Sequence, residues 1–256
     1  PLILKFACAV LAYSLGYTDD LLRRGLIILP AVFAQGWVMA QFLRTLLMEE
    51  RWPMPLPERG DEAAFARVIL RARGIVSSTL VFVLINLAST VLAWGAFELD
   101  RVAQGVVDQQ AAVPSGDAEN PGANMLLFIP AVAAIFLSLW SIRLLWVYIP
   151  YAVLMPIGTY LKRLGGFMAS IRLAGLYLIC MVPLNVLAMM MVQGLLTSSG
   201  ATLDNVPAYI SFISIFLGVI TDFIVGLLAT AAVAYAMRGI IPHHAEALKD
   251  VASKKP

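Results

Sequence analysis

Apolar runs of about twenty residues alternate with polar loops along this chain, and each run is long enough to cross a hydrocarbon core of roughly 30 Å as a helix. The spans read at Pro1–Tyr17, Gly25–Met48, Ile75–Phe97, Met125–Arg143, Ala174–Leu196 and Tyr209–Met237. The expected fold class is all-α: a polytopic bundle of about six spans with short amphipathic interfacial helices on the cytoplasmic side. Pro1–Tyr17 is short and carries Lys5, and as an interfacial helix it would reduce the count to five. The run from Met125 to Leu161 is too long for one span. Arg143 is placed at the inner interface, where an Arg at a helix end can snorkel. Leu144–Leu161, with Pro150 and Pro156, then continues along that interface as a bent extension; two spans with Arg143 at their hairpin is the alternative reading.

The loops supply the orientation. With six spans and an inner N-terminus, only Arg23, Arg24 and Arg101 of the 18 Lys and Arg residues fall outside. Basic residues concentrate in cytoplasmic loops, so the C-terminus is expected to be cytoplasmic. The chain reads as one transmembrane domain over residues 1–241, followed by a short polar tail over 242–256. The outer segment 98–124 holds Glu98, Asp100, Asp108, Asp117 and Glu119 with the breakers Pro114, Gly116, Pro121 and Gly122, which predicts a flexible loop. Two inner segments look amphipathic. Asp61–Arg73 places Phe65, Val68, Ile69 and Ala72 on one helical face and Arg67 and Arg71 on another, with Asp61 as N-cap. Lys162–Arg172 repeats the pattern with Leu164, Phe167, Met168 and Ile171. Arg67, Arg71, Arg73, Lys162 and Arg163 are therefore candidate contacts for anionic lipid headgroups, each gaining roughly 1 kcal/mol at the surface. An ordinary topology anchor explains the same residues.

Composition agrees with a membrane class: 61% of residues are apolar and 13% charged, far from the balance of a soluble domain. The basic residues lie spread along a membrane surface, so no nucleic-acid partner is indicated. The expected partners are membrane lipids and other membrane-protein subunits. Cys8 and Cys180 both lie in apolar spans and imply no disulfide framework.

Asp222 is the sharpest candidate for chemistry. It lies about 20 Å from either end of the last span, where a carboxylate must be paired, hydrated or protonated. Arg44 and Arg143 are its basic candidates, although both lie nearer the inner surface. A structural role, bonding helices together, is the competing reading. Pro183 with Asn185 predicts a break in the fifth span, of the kind that exposes carbonyls at transporter sites. Met181, Met189, Met190 and Met191 read as core filler rather than a metal site, because successive helical residues point about 100° apart. His243 and His244 have no partner ligands. No metal or cofactor is expected, and no Gly-x-Ser-x-Gly, His-Glu-x-x-His or phosphate-cradling loop occurs.

Leu21-Leu22-Arg23-Arg24 and the stretch Phe42-Leu43-Arg44-Thr45-Leu46-Leu47-Met48-Glu49-Glu50-Arg51-Trp52-Pro53 resemble uncharacterised multi-pass proteins of alphaproteobacteria. Those share an Arg–Leu-Leu–Gly-Glu–Arg–Pro pattern, with Met48 or Glu49 standing here in place of the Gly. Ile142-Arg143-Leu144 followed by Pro150 is similar too. That family is distantly similar to the six-helix membrane domain attached to some glycerophosphodiester phosphodiesterases. The resemblance implies an all-helical fold in a bacterial inner membrane and transfers no activity, since the phosphodiesterase catalytic domain is absent. The leading functional expectation is a non-enzymatic accessory or scaffold subunit that binds partner proteins or lipids. The alternative is a small permease, or a subunit of one, that uses Asp222.

Overall fold

The computed structural model describes residues 1–17, 20–53, 61–111, 142–163, 166–200 and 206–237. These form helices and no strand: α1 (Leu2–Ser14), α2 (Leu21–Met48), α3 (Glu62–Ala111), a 3-10 turn (Ile142–Trp146), α4 (Tyr148–Ala152), α5 (Ile157–Arg163), α6 (Phe167–Ser199) and α7 (Ala208–Met237). Among the described residues four helices are long and apolar enough to cross a membrane: α2, Ala64–Glu98 of α3, Met168–Ser199 of α6 and Ala208–Ala236 of α7. With 13 residues, α1 spans only about 20 Å, short of a full crossing. Residues 125–141 of the expected fourth span, residues 112–124 of the outer segment and the 242–256 tail lie outside the described residues.

Local chemistry sets the helix ends. The Asp20 carboxylate accepts from the Arg23 amide at 3.0 Å and opens α2. At its other end Glu49 adopts φ 54°, a left-handed cap that turns the chain back on itself. Asp61 caps α3 by accepting from the Ala64 amide at 2.9 Å, as its position predicts. Gly200, with φ 64°, ends α6.

Two expectations about loops are corrected here. Helix α3 runs unbroken for 50 residues, because no proline occurs between its cap and Pro114. It absorbs the amphipathic segment after Asp61 and the first part of the expected outer loop, as far as Ala111. The second amphipathic segment is interrupted instead. Gly166 caps the start of α6 with extended backbone, so Lys162 and Arg172 sit on different helices.

Helix α2 is the central element, packed against α1, α3, α4 and α7. Glycines let α3 approach it closely: a Cβ on Gly25 would lie 2.7 Å from Thr90 Cγ2, and one on Gly36 would lie 2.9 Å from Phe82 Cδ1. Small residues at helix contacts are the usual means of tight packing where apolar burial gives no net drive. The pairings show α3 running antiparallel to α2. Edge-on ring contacts from Phe6 to Phe216 and from Tyr13 to Phe212 set α1 antiparallel to α7.

The core lies at the end of the bundle that carries Arg44, Arg51, Arg67, Arg71 and Arg73, called here the basic end. Trp146, Tyr148, Ile149, Ala152 and Tyr160 are buried there against Met39, Leu43, Ala229 and Val233. Within the stretch 144–161, expected as a bent extension along the interface, residues 146–150, 152, 153 and 160 are thus buried in the bundle. Its broken helical turns leave carbonyls that water cannot reach, and side chains satisfy them. Ser78 Oγ donates to the Tyr148 carbonyl at 2.8 Å, and Arg44 Nη1 donates to that of Ala152 at 2.6 Å. Gly74 makes room for this contact, since a Cβ there would meet Arg44 Nη1 at 2.6 Å and the Ala152 oxygen at 2.9 Å. Gly74→Ala is expected to destabilise the bundle by about 1–3 kcal/mol through overpacking. Thermal unfolding in detergent checks it, and an unshifted midpoint would contradict the close approach.

Candidate functional site

Four helices line a half-open cavity of about 750 Å³. One face of α2 (Leu21, Arg24, Gly25, Ile28, Val32) forms its back, with α1, α3 and α7 as its walls. Small side chains create the space: Ala9 and Ala12 on α1, Ala93 on α3 and Gly218 on α7. The cavity runs from Tyr13, Arg24 and Ala93, at the end opposite the basic one, down to Lys5 and Asp222. From Leu21 to Val32 along α2 this depth is about 16 Å, roughly half a hydrocarbon core.

The floor is charged. Lys5 Nζ makes an ion pair and hydrogen bond with Asp222 Oδ2, and it donates to Gln35 Oε1 at 2.8 Å. The two partners differ in access: the Lys5 side chain is 14% exposed and that of Asp222 is 60% exposed. Gln35 is buried and tethers the cation, which leaves the carboxylate as the reachable member. Asn86, Ser89, Thr90 and Ser214 add neutral polar groups to the walls. Asn86 Nδ2 donates to the Phe82 carbonyl at 2.9 Å and Thr90 Oγ1 to that of Asn86 at 2.9 Å. Such i−4 bonds leave the Asn86 amide oxygen as an acceptor.

Among the described residues the partner of Asp222 is therefore Lys5, and not Arg44. Gln35 marks the floor on α2, and Arg44 lies nine residues further, about 13 Å along the axis. Arg44 is buried in a separate network at the basic end. Its Nε and Nη2 grip Glu50 at 2.8 and 2.5 Å. Arg71 Nε approaches the same carboxylate at 3.3 Å, while its Nη1 and Nη2 donate to the Arg51 carbonyl and to Gln41 Oε1, both at 3.0 Å. The left-handed Glu49 cap is what swings Glu50 back under α2. Arg143 belongs to the 3-10 turn, and its side chain lies outside the described residues.

Arg71 is removed from the candidate headgroup contacts, because burial and these hydrogen bonds occupy its guanidinium. Arg67, Arg73 and Lys162 are exposed at the basic end; the side chain of Arg163 lies outside the described residues. Asn185 sits on the outer face of α6, donating to the Met181 carbonyl at 2.8 Å, and does not line the cavity. The expected break at Pro183 is absent, since α6 is continuous through it. Transmembrane helices tolerate such prolines because local groups re-satisfy the freed carbonyls. The methionines also depart from expectation: Met189, Met190 and Met191 are 63, 65 and 50% exposed, so they form an outer surface and not core.

Sequence reasoning singled out Asp222 but did not pair it with Lys5 or place Gln35 beside them. A signal was present, since Lys5 interrupts the first apolar run and a cation is one way to neutralise a mid-span carboxylate. Among the described residues no group of three His, Cys, Asp or Glu converges, and Cys8 and Cys180 are free. No family model, curated protein or solved structure matches the chain.

Proposed function

We propose that this chain is a small multi-pass permease, or a subunit of one, in a bacterial inner membrane, with its basic end toward the cytoplasm. One observation carries the reading: a mid-depth ion pair whose carboxylate is 60% exposed at the inner end of a cavity lined by hydroxyls and an amide. A charge pair that served only to join helices would be covered on all sides, because charge in contact with lipid is expensive. The volume lies within the range of small-molecule sites. In this reading Arg24 stands at the mouth on the periplasmic side, and Lys5 with Asp222 forms the binding floor.

Aqueous access tests the proposal. With Cys8 and Cys180 replaced by Ala, a membrane-impermeant thiol reagent is added to intact cells that carry single cysteines. Ser89→Cys and Ser214→Cys are expected to react roughly tenfold or more faster than Met190→Cys, since thiols react as thiolates and ionise poorly in hydrocarbon. Equal, slow labelling at all three positions would remove the solute path.

The accessory-subunit reading is favoured by a different observation. From Gly175 to Ser199 no residue of α6 is buried, and Ile179, Val182, Val186, Leu187 and the three methionines present a continuous apolar face. Lipid tails or a partner helix would cover it. Exposed Arg67, Arg73 and Lys162 are placed to meet anionic headgroups at the same end.

A further inference from the structure

The floor of the cavity specifies more than a site. It holds one cation and one anion in direct contact, Lys5 and Asp222, and so presents no net charge. This constrains which solute can displace the pair. A purely anionic solute would take Lys5 and strand Asp222 at mid-membrane depth, and a purely cationic one would strand Lys5. Either stranded charge is costly in that setting. A solute that carries both signs replaces one pair with two and strands nothing. Resting on the permease reading above, we infer that the cavity takes a zwitterion: a molecule whose carboxylate or phosphate meets Lys5 while its ammonium meets Asp222.

The tethering supports this arrangement. Lys5 is held by buried Gln35 at 2.8 Å, so its ammonium stays in place when the carboxylate turns away. Among the described residues Asp222 hydrogen-bonds Lys5 alone, and its exposure leaves it free to turn toward an incoming ammonium. Above the pair the walls are mainly apolar, with Ala9, Ile28, Val32 and Val219. They would surround an aliphatic portion attached to the charged end. An amino acid with an aliphatic side chain and the headgroup of an aminophospholipid share this chemistry, and the two sources are separable by experiment.

The full chain is placed in nanodiscs of phosphatidylglycerol alone, whose headgroup carries no cation, and binding is measured with three matched probes. Leucine carries both charges, 4-methylpentanoate lacks the ammonium and 3-methylbutylamine lacks the carboxylate. Leucine is expected to bind at least about tenfold more tightly than either analogue, a difference of about 1.4 kcal/mol. The double variant Lys5→Gln/Asp222→Asn keeps the cavity and strands no charge, so it should fold and lose that preference. A parallel arm incorporates phosphatidylethanolamine and reads retained lipid by native mass spectrometry. Retention by the parent and loss from the double variant, with no leucine binding, assigns the zwitterion to the lipid. Binding of a single-charge analogue as tightly as leucine overturns the zwitterion inference and leaves the cavity reading standing. Absence of every probe and of the lipid overturns both.

Discussion

Glu50→Ala is expected to lower the stability of the folded bundle by about 3–5 kcal/mol, the scale on which a buried pair loses when one partner is removed. Two guanidiniums share this carboxylate, with side-chain exposures of 2% for Arg44 and 7% for Arg71. Removing it leaves both cations without compensation at a level where water is scarce. Arg44 also holds the Ala152 carbonyl, so the loss reaches the α4 turn. Glu50→Gln should be milder, since an amide still accepts one hydrogen bond while withdrawing the charge. The triple variant Glu50→Ala/Arg44→Met/Arg71→Met should regain part of the loss, because an apolar replacement of a whole buried network removes the desolvation penalty along with the attraction. Unfolding in mixed micelles, followed by tryptophan fluorescence, ranks the three. If Glu50→Ala unfolds at the same denaturant fraction as the parent, the network does not hold the basic end together.

Tyr148→Ala should come close behind. The ring is buried, lies edge-on to Phe82 at 5.1 Å between centroids and is flanked by Trp146 at 6.3 Å. Its hydroxyl pairs with Thr230 Oγ1 at 2.7 Å, tying α4 to α7. Truncating a buried aromatic to Ala costs about 3–5 kcal/mol, from lost contacts and the cavity left behind. Tyr148→Phe isolates the polar part: it strands the Thr230 hydroxyl for about 1–3 kcal/mol. Adding Thr230→Val should then restore stability, a coupling that a double-mutant cycle measures directly. A Tyr148→Phe variant indistinguishable from the parent, alone and with Thr230→Val, would mean that the hydrogen bond contributes nothing.

Both predictions depend on contacts that no single segment of sequence displays. Glu50 reads as one of two acidic residues after a span, and its value comes from a backward turn at Glu49 and from Arg71 twenty-one residues further on. Arg71 illustrates the limit well. Its place on a basic helical stripe suggested a headgroup contact, whereas the packing of α3 on α2 turns it inward. Periodicity assigns residues to faces of a helix; it does not say which face meets a neighbour.

Apolar length and the placement of breakers determined the all-helical class, the length and apolarity that would let α2, α3, α6 and α7 cross a membrane, the Asp61 cap and the candidacy of Asp222. These follow from each residue's own preference for hydrocarbon or water and from hydrogen bonds made within one turn of the backbone. Only the tertiary structure decided that Lys5 meets Asp222 across 217 residues, that residues 146–160 enter the core and that the methionines of α6 face outward. In a bilayer, lipid-facing and protein-facing side chains are both apolar, so hydrophobicity cannot tell them apart. Which charge neutralises which depends on helices meeting in space, and that is settled by packing.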